Sequence, residues 1–413
     1  MTTAEPESLT ARLLRFPADR YPVQHATTSF HLGAQLLQAG QNAAALAALG
    51  DARSGFLAAG MRLEVAKTDL MAGIALRGVG RLDDAAQSFT AAADVFEELT
   101  QPAEQAAARY NLGLVQQDAG RTAPAREAFA RAQALFREAG QPAAAAGAAR
   151  DHGALLLTEG DSASALPLLR QALVLAEGAL TEGAGDQAGA GAAANTLALA
   201  LLAAAQPQQA AEAARRAVAA FPRTVRPAEH AMAKANLALA YEQSAQRARA
   251  RLAARQVLAV GGIDVPVRAQ ASALLERLPG EADADLAAVL EDEPVVQWVA
   301  LVREELVRAL ALSDDGCREV VRGVLAAVLA LSDSAYDVAE ALLGAMLEQP
   351  PRAYARLLAA VEDGCVASAE QDQDRLRSVL SSALARFAIP QWQRAAAGLN
   401  DAAVAAGRPE SWR

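Results

Sequence analysis

The chain has 413 residues, of which 53% are hydrophobic but only 4% aromatic, and its formal net charge is −10. This length exceeds one ordinary domain, and an apolar content dominated by Ala and Leu favours helices packed on helices over strands. Two cysteines exclude a disulfide framework, and the absence of a basic stripe argues against nucleic-acid binding.

The N-terminal segment, residues 1–21, has neither the basic nor the apolar region of a signal peptide. No apolar run of about 18 residues is free of charge, so no membrane span is predicted. We therefore expect a cytoplasmic protein without a membrane partner.

A phrase of small residues repeats from residue 22 onward, at offsets of 40, 80, 120, 165 and 205 residues. The small residue of its Leu-Gly pair recurs at Gly33, Gly73, Gly113, Gly153, Ala198 and Ala238. Further glycines stand where a helix must stop, since glycine takes the left-handed conformation readily; they are Gly40, Gly80, Gly120 and Gly160. Prolines suited to a helix start are Pro22, Pro102, Pro142 and Pro227.

Each copy predicts an antiparallel helix pair, A then B, and the six pairs are followed by a capping helix at 265–278. The Leu-Gly pair, the small residue that opens helix B, the aromatic four residues later and the Ala after it resemble the tetratricopeptide repeat (TPR) family. The resemblance implies an all-α fold, with a right-handed α-solenoid over residues 22–278. HEAT repeats have a similar length, but the order of these residues favours TPR.

The repeat departs from the TPR pattern in two respects. The period is 40 residues instead of about 34, and we assign the extra length to helix B, where aromatic residues recur at Phe56, Phe96, Phe136 and Phe221. The early aromatic of helix A is replaced by Ser29, Asp69 and Arg109.

The 45-residue step between the fourth and fifth copies contains a glycine-rich stretch at residues 182–191. A surface insertion is the simpler interpretation, because loops tolerate extra length. A hinge or a loop that contacts a partner is the alternative.

Residues 279–413 form a predicted acidic C-terminal helical domain, with 22 acidic and 12 basic side chains; the junction is at Pro279-Gly280-Glu281. Helical periodicity predicts six helices, at 295–310, 318–331, 335–347, 353–361, 375–387 and 391–404. The phrase Asp315-Gly316-Cys317 recurs at Asp363-Gly364-Cys365 and hints at a weak duplication.

No pattern typical of catalysis or metal binding is present, so we expect no cofactor, no metal and no enzymatic activity. His25 and His230 occupy the same repeat position, which predicts a packing role for both. Cys317 and Cys365 are interpreted as buried thiols.

The TPR resemblance implies that helix A lines a concave groove and that an Asn there holds the backbone of an extended peptide. An amide suits this role because it donates and accepts hydrogen bonds. The predicted groove residues are His31, Lys67, Arg77, Tyr110, Asn111, Arg150, Asn195 and Asn236. The second Asn of the family's carboxylate clamp is missing, so we do not predict binding of chaperone tails.

The leading hypothesis is a non-catalytic adaptor or scaffold that binds a protein or peptide in the groove, with a possible homodimer through residues 279–413. The alternative is a regulatory sensor whose groove binds a small peptide or metabolite, and an enzyme that uses the C-terminal domain is a third possibility. The tail at 407–413, which includes Trp412, is predicted to be disordered or to dock on a second copy or in the groove.

Overall fold

The computed structural model describes residues 9–280, 282–331, 334–409 and 412. Their regular elements are α-helices, so the all-α prediction is confirmed. Contacts divide the chain into two compact units, Met1–Ala204 and Ala205–Arg413. The predicted functional boundary at 278–279, whose junction residue Glu281 lies outside the described residues, stays a prediction.

The first unit is a series of antiparallel helix pairs that follow a short first helix. The helices are α1 Leu9–Arg15, α2 Pro22–Gln38, α3 Asn42–Ala58, α4 Arg62–Gly78, α5 Leu82–Glu98, α6 Pro102–Asp118, α7 Thr122–Glu138, α8 Pro142–Thr158, α9 Ser162–Thr181 and α10 Gln187–Ala203. Each helix from α2 to α8 has 17 residues. The assignment of the extra length to helix B was therefore wrong, since helices A and B share it equally.

The glycine of the Leu-Gly pair lets helix A contact a large side chain of helix B. A Cβ added at Gly73 or at Gly113 would lie 2.6 or 2.7 Å from the ring of Phe89 or Phe129, and both rings are fully buried. At Gly33 the neighbour is Leu49 instead. Closely packed interiors leave no room for an extra methyl group, so these contacts fix the distance between the helices of a pair.

The predicted helix-ending glycines adopt positive φ angles, for example 70° at Gly40 and 69° at Gly120. Their amide N–H groups donate to carbonyls three residues earlier, which satisfies the last turn. At the ends of the B helices Gly60 and Gly140 do the same, but Thr100 takes this place after α5 with φ 52°, a conformation that costs a non-glycine residue roughly 1–2 kcal/mol.

The five extra residues of the 45-residue step are shared between a helix and a loop. Helix α9 has 20 residues, and the loop before α10 has five, residues 182–186. The rest of the glycine-rich stretch is helical, because the Asp186 Oδ1 accepts from the Gly189 N–H at 2.5 Å and caps α10.

Helix α9 also has the length and hydropathy of a membrane span, which was not expected from the sequence. In its most apolar window 39% of the residues are buried within the protein. It packs between α8 and α10 with Leu169 fully buried. Its apolar residues therefore form part of the packing between α9 and the neighbouring helices α8 and α10.

The second unit begins with the last helices of the repeat. Its helices are α11 Pro207–Ala220, α12 Pro227–Gln243, α13 Arg247–Leu258, α14 Val265–Arg277, α15 Ala282–Glu291, α16 Val295–Ala311, α17 Asp314–Ala330, α18 Ala335–Leu347, α19 Pro351–Ala367, α20 Glu370–Leu384 and α21 Ile389–Ala405. All six predicted C-terminal helices are present, and α14 confirms the helix predicted after the sixth pair. Helices α1 and α15 were not predicted.

The C-terminal helices stack in two layers, because each packs strongly on the helix two places along the chain. Helices α15, α17, α19 and α21 form one layer, and α16, α18 and α20 the other. The two Asp-Gly-Cys phrases lie at opposite ends of α17 and α19, so they do not mark a duplication. Both cysteines are buried, as predicted.

The last repeat helix is tied to the C-terminal helices through buried carboxylates. Asp285 on α15 is 1% exposed and accepts from Arg251, at 3.0 and 2.9 Å, and from Arg255 on α13. Glu305 on α16 accepts from Gln256 at 2.7 Å. Charged hydrogen bonds to buried carboxylates hold these helices in one register.

Trp412 docks on its own unit, which differs from both predictions for the tail; residues 410, 411 and 413 lie outside the described residues. Its indole N–H donates to Glu362 at 2.9 Å, and its backbone N–H donates to Asn400 at 3.0 Å. The ring is 3% exposed within the core of α15–α21.

The shared role of His25 and His230 has a clear geometric basis. The Nδ1 atoms lie 2.9 and 2.8 Å from the carbonyl oxygens of Phe16 and Phe221, nine residues earlier in both cases. Each imidazole therefore ties helix A to the chain that enters it. The sequence signal is a shared Phe-Pro before the helix, at 16–17 and 221–222.

We expect Gly113→Ala to lower the free energy of unfolding by about 1–3 kcal/mol, because its Cβ would collide with the Phe129 ring. Gly50→Ala is the matched control, since Gly50 is helical, exposed and has no atom within 4 Å of an added Cβ. It should raise stability by about 0.5–1 kcal/mol. Urea unfolding measures both, and equal effects would contradict the close contact.

Burial lowers the pKa of His230 below its ordinary value. The hydrogen bond to the Phe221 carbonyl raises this pKa, and the charge of Lys234 lowers it, so the net shift is downward. As the pH falls, the unfolded chain therefore binds a proton at His230 before the folded chain does. The contribution of neutral His230 to the free energy of unfolding is complete above about pH 6.5 and is lost as the pH falls. We expect His230→Asn to flatten the fall of the urea midpoint between about pH 7.5 and 5.

A His230→Asn profile that falls as steeply as that of the wild type would show that other groups carry the dependence.

Candidate functional site

Residues from consecutive A helices converge on one face of the Met1–Ala204 unit. The Tyr110 hydroxyl on α6 donates to the Asp151 carboxylate on α8 at 2.6 Å. Tyr110 also packs on the rings of Phe129 and Phe136, at 5.9 and 6.4 Å between centroids. The Gly113–Phe129 contact and this hydrogen bond therefore position the same side chain.

Two of the predicted basic residues lie on this face. Arg150 pairs with Asp151 at 2.8 Å through Nε, and Arg77 on α4 pairs with Asp118 on α6 at 2.5 Å. Burial raises the pKa of Tyr110 above its ordinary range, the charge of Asp151 raises it further, and Arg150 and Arg77 oppose the shift. Tyr110 thus remains a hydrogen-bond donor and does not act as a base.

We name Arg77, Tyr110, Asn111, Arg150 and Asp151 the helix-A face. All but Asp151 were predicted from the sequence. Asn111 is half-buried, and its amide N–H donates to the Ala107 carbonyl of its own helix at 2.8 Å.

The remaining predicted residues are spread more widely. Lys67 is half-buried on α4, and His31 is exposed on α2 beside the ring of Phe30. The role of both side chains in binding stays a prediction.

The structure places the other two predicted asparagines differently from the sequence analysis. Asn195 and Asn236 are 6% and 3% exposed, so neither amide faces open solvent. The reason is composition, because α10 and α12 bury Ala and Leu residues on almost every side. A helix that is apolar all round is enclosed by its neighbours.

A cavity of about 290 Å³ adjoins the helix-A face at Arg150. It lies among α8, α9, α10 and the loop that follows α9, and we call it the alanine-lined cavity. Its lining is Ala143, Ala146, Gly147, Arg150, Ala176, Ala184, Gly185, Asp186, Gly189, Ala190 and Ala193. Methyl groups and glycines leave space for an aliphatic side chain, and Arg150 supplies hydrogen-bond donors at the edge.

The glycine-rich loop contributes Ala184, Gly185 and Asp186 to the cavity. Whether it is a surface insertion, a hinge or a partner-contacting loop stays a prediction. In the described part of the chain, no group of three or more His, Cys, Asp or Glu side chains could hold a metal ion. The expectations of no metal, no cofactor and no enzymatic activity stay predictions.

Comparison with known proteins gives no match to a family model and no match among curated proteins. The Naa15/Naa10 structure bound to HypK-THB has a TM-score of 0.33 and 13% identity, and it covers 91% of this chain. Our chain spans 58% of the length of that matched chain.

Two further solved structures are similar over most of this chain. The TPR domain of P58(IPK) has a TM-score of 0.22 and 15% identity, with 82% of this chain and 97% of that chain covered. The monomeric IFIT1 mutant with Gppp-AAAA has a TM-score of 0.31 and 14% identity, with 92% and 87% covered.

The helix pairs, their glycine contacts and their glycine-ended turns agree with the predicted repeat. The chain is a helical-repeat protein with a TPR-like fold.

Proposed function

We propose that the protein is a non-catalytic adaptor whose helix-A face and alanine-lined cavity bind an extended segment of a protein partner. The observation that carries this proposal is the convergence of Arg77, Tyr110 and Arg150, from three consecutive A helices, with Arg150 also lining the cavity among α8, α9 and α10.

The lining of the cavity indicates which kind of segment it would bind. An aliphatic side chain would contact the methyl groups of Ala143, Ala146 and Ala190, and burial of its surface contributes about 25 cal/mol per Å². The neighbouring peptide carbonyls would accept from Arg150, which Asp151 holds in place. Preorganised donors lower the entropy lost on binding.

A regulatory sensor for a small ligand is the second candidate. It is favoured by another cavity, in the Ala205–Arg413 unit, whose walls carry both apolar and charged side chains. Homodimerisation through residues 279–413 and a cytoplasmic location stay proposals.

The test fills the alanine-lined cavity without disturbing the core. Gly147 lines it and has no atom within 4 Å of an added Cβ, so we expect Gly147→Leu to fold and to occupy the space meant for the partner. Tagged full-length chain is purified from its native host, and the proteins retained are compared by quantitative mass spectrometry. A partner should be lost at least tenfold from Gly147→Leu and from Arg150→Ala.

Gly50→Leu is the matched control, because Gly50 is also an open helical position but lies away from the cavity. It should retain the partner as well as the wild type does. Retention of the same proteins by all variants would contradict the proposed face, provided that circular dichroism shows each variant to be folded.

A further inference from the structure

The second cavity, which we call the mixed cavity, has a volume of about 240 Å³. Helices α11, α12 and α13 form one side of it, and α15, α16 and their connection form the other. Its apolar lining includes Leu237, Leu252, Val289 and Leu301. This lining is sufficient to bind a short aliphatic chain.

Charged groups surround the apolar lining, and they do not balance. Three basic residues and two acidic residues line the cavity: Arg215, Lys234, Arg249, Glu293 and Glu304. Lys234 pairs with Glu304 at 2.6 Å, and Arg249 pairs with Glu293 at 2.9 Å. Among the lining residues one positive charge is left, and the Asp292 carboxylate, which is not part of the lining, lies 3.9 Å from the Arg249 guanidinium. The lining itself therefore complements a ligand with one negative charge.

The excess charge lies beside Tyr241. The guanidinium groups of Arg215 and Arg249 lie 5.6 and 6.0 Å from the centroid of its ring. The Arg215 Nε donates to the Tyr241 hydroxyl at 3.2 Å, and the rest of this side chain is exposed. Two guanidinium groups on one aromatic ring form a preorganised site for an anion.

Arg249 has a donor that the protein does not use. Its Nε–H is buried and donates to none of the described residues. Buried polar groups in folded proteins are almost always hydrogen-bonded, and an exception indicates a missing water, ion or ligand. A carboxylate bound beside Tyr241 would satisfy this donor.

Lys234 supports the same conclusion, because the repeat itself does not require it. It is 6% exposed, and the equivalent residues of the first three pairs are Ser29, Asp69 and Arg109. Burying a lysine costs solvation free energy, and its partner Glu304, whose side chain is 40% exposed, remains in contact with water. Lys234 therefore fixes Glu304 at the wall of the cavity, and the anion is left to the two arginines.

We propose that the mixed cavity binds a short- to medium-chain carboxylate. The aliphatic chain of the ligand contacts Leu237, Leu252 and Leu301, and its carboxylate accepts from Arg249 and Arg215. The site shares no residue with the helix-A face, so either site can fail without the other.

Isothermal titration of the full-length chain with octanoate, octanol and octylamine tests the proposal, because these probes differ in charge and share one chain length. Octanoate should bind saturably with one site per chain, at least tenfold more tightly than octanol or octylamine. Arg249→Gln and the exposed Arg215→Gln should each weaken octanoate binding at least tenfold, about 1.4 kcal/mol.

Arg247→Gln is the control. Arg247 is exposed and lies on α13, as Arg249 does, but it does not line the cavity. It should bind octanoate as the wild type does. Octylamine or octanol binding as tightly as octanoate would overturn the assignment. So would an absence of saturable octanoate binding, or octanoate binding by folded Arg215→Gln as tight as that of the wild type, with folding checked by circular dichroism.

Discussion

The contact between a glycine of helix A and a large side chain of helix B is the constraint on which the repeat depends. At Gly113 the backbone of α6 lies against the ring of Phe129, and this closeness sets how the two helices cross. In the sixth pair two small residues make this contact. Ala238 and Ala254 occupy the positions that Gly33 and Leu49 occupy in the first pair, and both are buried. The volume at the contact is thus shared between the two helices, and a change in one requires a change in the other.

This periodicity explains why the repeat could be predicted from the sequence. A glycine that must adopt φ near 70°, as at Gly40, and a proline that opens a helix, as at Pro22, are local requirements visible in a single chain. The orientation of Asn195 and Asn236 could not be predicted, because it depends on which neighbours enclose α10 and α12. The Tyr110–Asp151 hydrogen bond likewise joins residues 41 positions apart. Helix α15 is short and carries Asp285 in its interior, so its amphipathic pattern is weak.

The acidic excess of residues 279–413 is not simply a solvated surface. Asp285, Glu305 and Glu362 are each no more than 2% exposed, and arginines or other donors hold each of them. Replacing a buried ion pair by apolar residues is often neutral in stability, but removing one partner is costly. These carboxylates therefore act as fixed connections between helices, and Glu362 also anchors Trp412 through its indole N–H.

Both cavities lie where the 40-residue period is interrupted. The lengthened α9 and its five-residue loop separate α8 from α10 at one end, and the space between them becomes the alanine-lined cavity. The mixed cavity forms where α15 and α16 replace a further repeat pair beside α13, with side chains that the repeat does not supply. Space is not confined to such interruptions, because a cavity of about 630 Å³ lies along α6 and α7 of the regular repeat. The departures from the period instead change which side chains line the space, while the glycine contacts keep the neighbouring helices in place.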